Sequence, residues 1–186
     1  MRLLLLAAQL LFAAAPPAAE VHMSTTPSKA ASALLEWTPP PGWKSSEYSN
    51  AGGADIVVAY EEGMERIEIK IFGAPKSFYR TPEAFMAGPG ATTMGRAPAK
   101  SGIARAAGGA VTVYRRKFPL PGGGDPHAFS PGPPLMGRET FCVLPPFPDG
   151  RFAVLAYARE SPTPSVKGEG EKAWKAFLAG VRRRKP

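Results

Sequence analysis

The sequence predicts an α+β fold, an antiparallel sheet of about five to six strands flanked by helices. Three observations carry that expectation. Ile67, Ile69 and Ile71 alternate with Arg66, Glu68 and Lys70, the period of a half-buried strand. Thr81-Pro82-Glu83 reads as a helix start: a capping hydroxyl, a proline at the first helical position and an acid in the first turn. Trp174, Phe177, Leu178 and Val181 fall at i, i+3, i+4 and i+7, a helical stripe near the end of the chain.

The first 19 residues read as an export signal. Arg2 is the basic start, Leu3 to Ala15 is an apolar run broken only by Gln9, and Ala13 to Ala15 are small. The run is short of the ~20 residues a spanning helix needs, so no transmembrane span is expected once the signal is removed. Residues 20–33 are rich in Ala, Ser and Thr with little periodicity and are expected to form a flexible leader. A single α+β domain over 34–186 follows, in a periplasmic or extracellular setting.

That domain opens on Leu34 to Thr38, a short edge element that Pro39, Pro40 and Pro41 turn aside. Trp37 and Trp43 flank those prolines and are expected to plug the core, the alternative being an exposed platform for a ligand. Ile56, Val58 and Tyr60 share one face of a strand that pairs with the 66–71 strand across Glu61-Glu62-Gly63. The helix opened by Thr81 gains an apolar side from Phe85 and Met86 and ends at Gly88. A weak strand is expected near Ile103 and a clearer one over 109–118. Residues 119–134 hold six prolines and four glycines, which leaves a loop and excludes helix or central strand.

Strands at 139–144 and 151–158 flank the turn 145–150, where Asp149-Gly150 is the strongest turn signal. Both faces of Phe152 to Tyr157 are apolar, which predicts a central, doubly covered strand. The closing helix is expected over 169–183, with Glu169 and Glu171 at its positive end and Arg182 to Lys185 at its negative end.

The order of Pro41-Gly42-Trp43, a hairpin ending Ile69-Lys70-Ile71-Phe72, the Thr81-Pro82-Glu83-Ala84-Phe85 helix, strands around Phe141 and Phe152, and a terminal helix with Trp174 and Phe177 resembles the PsbP-like fold. That family includes a photosystem lumenal protein, a Ran-binding nuclear import factor and exported bacterial domains of unknown function. The resemblance covers most of 36–182 and implies a sheet sandwiched by helices that acts by docking rather than catalysis. The family has no common catalytic constellation, so the resemblance assigns no site residue.

Chemistry-bearing residues are sparse. One Cys and two His exclude an intramolecular disulfide and a four-ligand Cys/His zinc site. No metal, no cofactor and no catalytic residue is expected. Cys142 lies in Phe141-Cys142-Val143-Leu144 and reads as a buried small hydrophobe. His22 and His127 have no Cys or His nearby. The charge of +8 is unevenly placed: Glu20 to Gly95 has six Lys/Arg against nine Asp/Glu, whereas Arg96 to Pro186 has sixteen against six. Such a basic half suits an anionic surface or an acidic protein, and Arg105, Arg115, Arg116 and Lys117 are the candidate anion-binding residues.

Solvated surface charge is the plainer alternative. Nucleic acid is not expected, since no reading motif is present. The expected function is an exported, non-catalytic binding or assembly-accessory module. Two other readings stand beside it. One is a hydrolase or transferase built on carboxylates drawn from Asp55, Glu68, Glu83, Glu139 and Glu160; the other is a basic protein lying on anionic membrane or polymer.

Overall fold

The computed structural model describes residues 25–120, 136–160 and 169–184. In chain order these residues form α1 (Pro27–Ser32), β1 (Leu35–Glu36), β2 (Lys44–Asn50), β3 (Asp55–Glu62), β4 (Glu65–Phe72), α2 (Pro82–Ala87), β5 (Ala99–Ala106), β6 (Gly109–Pro119), β7 (Met136–Val143), β8 (Phe152–Arg159), α3 (Glu169–Gly180) and β9 (Arg182–Arg183). Seven strands make one antiparallel sheet in the order β2-β3-β4-β8-β7-β6-β5. β1 and β9 form a separate antiparallel pair. The fold is α+β, as the alternation and the two helix signatures predict, with seven strands in the main sheet instead of five to six.

Local chemistry explains the elements. β4 buries Ile67, Ile69 and Ile71 completely on one face while Arg66, Glu68 and Lys70 point to the other. Each isoleucine so buried contributes about 1.5–3 kcal/mol. Thr81 Oγ1 accepts the Ala84 amide at 3.2 Å and starts α2. β5 and β6 meet in the two-residue turn Ala107-Gly108, both with positive φ, the geometry that matches sheet twist. Ala107 is held there by its amide, which donates to the Val181 carbonyl at the end of α3.

The sheet separates two cores. On the first face Ile56, Ile69, Leu155 and Cys142 pack beneath Ala31 of α1, Trp174 and Phe177 of α3, and Leu35 of β1. Trp37 and Trp43 pack partly buried against this core, and Trp37 Nε1 donates to Tyr60 Oη at 2.6 Å. On the second face Phe72, Phe141 and Phe152 gather around Phe85 of α2, with ring centroids 5.6–6.4 Å apart. β8 is buried along both faces, as a central strand should be.

Four expectations are corrected. β2 was not foreseen, because all seven of its residues are exposed and show no apolar alternation; pairing with β3 defines it. The leader does not extend to 33, because Thr26 caps α1 and Ala31 is fully buried. The terminal helix ends at Gly180, since Arg182 and Arg183 leave it to pair with β1. The strand expected at 139–144 spans Met136–Val143, and its first residues pair with the end of β6. The export signal and most of the 119–134 loop lie outside the described residues, as do His22 and His127. No helix among the described residues is long and apolar enough to cross a membrane.

Candidate functional site: a basic cleft at the end of the sheet

Strand register sorts the charged residues of β6, β7 and β8 into two groups. On β6, Arg115 and Lys117 share the parity of Val113, which lies opposite Cys142 on the helix-covered face. On β7, Arg138 has the parity of Cys142. Lys117 pairs with Arg138, and Arg138 pairs with Arg159 of β8, so three cations sit side by side on one face of three adjacent strands. Arg115 and Thr140 occupy the next row, ending on Tyr157. Adjacent strands lie about 4.8 Å apart, so the three cations span about 10 Å. Like charges placed directly opposite destabilise a sheet, which makes the row notable.

The row floors a cleft of about 810 Å³, walled by Thr93 to Ala97 on one side and Glu171 of α3 on another. Among the described residues its lining sets Arg96, Arg115, Lys117, Arg138 and Arg159 against Glu171, and also includes Arg116 and Glu139, which belong to the other face of the strands and pair with each other. Arg159 Nε is buried without a hydrogen-bond partner among the described residues. Beside the row, Tyr157 Oη donates to Glu65 Oε1 at 2.8 Å and its ring stacks on Trp174, 6.3 Å between centroids. Burial and then the Glu65 carboxylate push the Tyr157 phenol up, so it remains a neutral donor. Gly170 permits this approach, because a Cβ there would meet the Glu65 carboxylate.

The opposite face of the same strands carries a closed ion network. Lys70 Nζ lies 2.8 Å from Glu68 Oε2 and 3.3 Å from Glu139 Oε1. Arg116 pairs with the other oxygen of Glu139, and its Nη1 donates to the carbonyls of Pro89 and Thr92 at 2.9 and 3.2 Å. Arg66 sits 3.1 Å from Glu68 Oε1. Burial disfavours the Glu139 anion, but Lys70 and Arg116 outweigh it and hold its pKa below the ordinary carboxylate value. Burial likewise opposes the Lys70 ammonium, and Glu139 and Glu68 outweigh that, raising its pKa.

Of the four anion-binding candidates, Arg115, Arg116 and Lys117 line the cleft. Arg116 is occupied by Glu139. Arg105 is not brought in: it lies opposite Ala110 at the far end of the hairpin, whereas Arg115 lies opposite Ala99. Arg138 and Arg159 were not singled out from sequence, being isolated charges outside the basic run. Their shared parity with Cys142 and Tyr157 was the available signal.

The five carboxylates are only partly gathered. Glu68 and Glu139 share Lys70, and Glu160 lies 3.7 Å from Arg66. Glu83 is exposed in the first turn of α2. Asp55 is buried and its Oδ2 accepts the Phe78 amide at 3.2 Å. Cys142 is fully buried, and burial pushes its thiol up to about 12. Among the described residues, no three His, Cys, Asp or Glu side chains gather as a metal site would require. Neither the family models nor the curated proteins contain a match to this chain.

Proposed function

We propose that this chain is an exported, non-catalytic binding module that presents its basic cleft to an anionic partner. One observation carries the reading: Lys117, Arg138 and Arg159 stand in one row, on one face, opening into a cleft with a large excess of cations. Carboxylates or phosphates entering there would relieve repulsion between neighbours and satisfy guanidinium donors. The paired state of Glu68 and Glu139 speaks against their use as free acid and base. The apolar run after Arg2 supports export, and the PsbP-like resemblance supports docking as the mode of action.

Calorimetric titration with pyrophosphate at low and high ionic strength tests the reading. Binding at low salt that weakens at high salt is expected. Arg138→Glu with Arg159→Glu should reduce affinity about 100-fold, or ~2.8 kcal/mol. Lys44→Glu with Arg105→Glu makes the same change in net charge at the far border of the sheet and the far end of the hairpin, and at about 0.15 M salt should leave affinity within about twofold, since exposed charges more than a Debye length away are largely screened. Equal losses in the two variants would reduce the cleft to general surface charge.

A further inference from the structure

Two methionines border the row of cations. Met136 lies on the cleft wall beside Lys117, and Met94 stands at the rim, 78% exposed. Met94 is not on a loose loop. Thr93 and Arg96 exchange both backbone hydrogen bonds, at 2.9 and 2.8 Å, closing the two-residue turn Met94-Gly95. Thr93 Oγ1 also donates to the Lys117 carbonyl, tying the turn to β6. Both turn residues have positive φ, 48° for Met94 and 75° for Gly95. Asn or Gly suits that conformation, and a long apolar side chain there is uncommon. A costly backbone state that exposes a large thioether beside a charged cleft is a feature folding alone does not require. Methionine is flexible and polarizable, suited to an apolar partner of variable shape. Ala97 and Ala99 continue the apolar strip along the same wall.

The charge specifies the other end of the ligand. With Arg116 committed to Glu139, the described lining leaves Arg96, Arg115, Lys117, Arg138 and Arg159 against Glu171, with Glu65 opposite Arg159 at the end of the row. A single carboxylate would leave most of that charge uncompensated. A phosphate monoester brings close to two negative charges and three acceptor oxygens to the planar guanidinium forks. We propose that the cleft takes a lipid phosphate monoester, its phosphate on Lys117, Arg138 and Arg159 and its alkyl stem along Met94 and Met136. This rests on the anion-binding reading above and adds the apolar half of the ligand.

Calorimetry with decyl phosphate kept monomeric, phenyl phosphate and inorganic phosphate tests it. Decyl phosphate should bind more than about tenfold tighter than inorganic phosphate, given ~0.8 kcal/mol for each methylene buried. Phenyl phosphate should gain little. Met94→Asn keeps a residue at home in the turn, and should remove most of the decyl advantage while leaving inorganic phosphate unchanged. Urea unfolding of that variant checks that the fold is retained. Equal affinity for decyl and inorganic phosphate would overturn the lipid assignment and leave the anion-binding reading standing. Phenyl phosphate binding as tightly as decyl phosphate would replace the lipid by a soluble ester and overturn the assignment. No binding of any phosphate would overturn both readings.

Discussion

Arg116 and Lys117 are neighbours in the chain, yet the sheet assigns them to different tasks. Arg116 turns to the face where Glu139, Lys70 and Glu68 close a network, and its donors end on a carboxylate and two carbonyls. Lys117 turns to the face where its cross-strand neighbour is Arg138 and the next is Arg159. Glu139 and Arg138 repeat the contrast on the adjacent strand. One face balances its charge internally, Arg66, Lys70 and Arg116 against Glu68, Glu139 and Glu160. Its counterpart sets Lys117, Arg138 and Arg159 side by side before Glu65 closes the row opposite Arg159, a cationic excess that is a cost in the free protein and an asset when an anion arrives. A basic half read from composition blends these two situations, and the two-residue period of the strands separates them.

Removing Glu139 should break the balanced side most severely. Glu139→Ala leaves Lys70 and Arg116 largely buried without their shared carboxylate, and should cost about 3–5 kcal/mol in urea unfolding. A loss below ~1 kcal/mol would show that the network contributes little. The pH dependence sharpens the same point. Glu139 has a lowered folded pKa, so its contribution is complete above the ordinary value of 4.5 and is lost as pH falls through the folded value. Lys70 has a raised folded pKa, so its contribution is complete below 10.5 and is lost as pH rises through the folded value. Urea midpoints should therefore hold between those limits and fall outside them. Glu139→Gln should flatten the acid limb; an unchanged limb would assign acid sensitivity to other carboxylates.

The smallest effect is expected on the unbalanced side. Arg138→Ala removes a charge flanked by Lys117 and Arg159, so stability should hold or rise by up to ~0.5 kcal/mol in low salt. A loss of several kcal/mol would mean that Arg138 is a structural residue. Together the Glu139 and Arg138 variants ask whether stability and binding are divided between the two faces.

Much of the scaffold was legible because burial writes a period into the sequence. Ile67, Ile69 and Ile71 announced β4, Thr81-Pro82-Glu83 announced α2, and Trp174 with Phe177 announced α3. β2 carried no such mark, since a strand exposed along its whole length keeps its shape through the backbone bonds of its partner. The cleft was half visible. Arg115 and Lys117 stood in a dense basic run, but Arg138 and Arg159 join them only through register, which is a long-range property. Arg105 shows the reverse: closeness to that run in sequence placed it among the candidates, and antiparallel pairing carried it to the other end of the hairpin. Met94 had no signal beyond its following glycine, because its exposure follows from a turn closed in three dimensions.

The two borders of the seven-stranded sheet differ from its interior in a way that bears on the behaviour of many copies together. β2 offers Lys44 and Glu47 and no aliphatic side chain, while β5 is kinked by a register shift between Lys100 and Gly102. A flat strand from a neighbouring molecule would meet charge at one border and a bend at the other, the two devices that discourage templated fibril growth. The rims of this open sheet thus carry devices that work against strand-to-strand pairing between molecules, with Ile103 the exposed aliphatic side chain on β5.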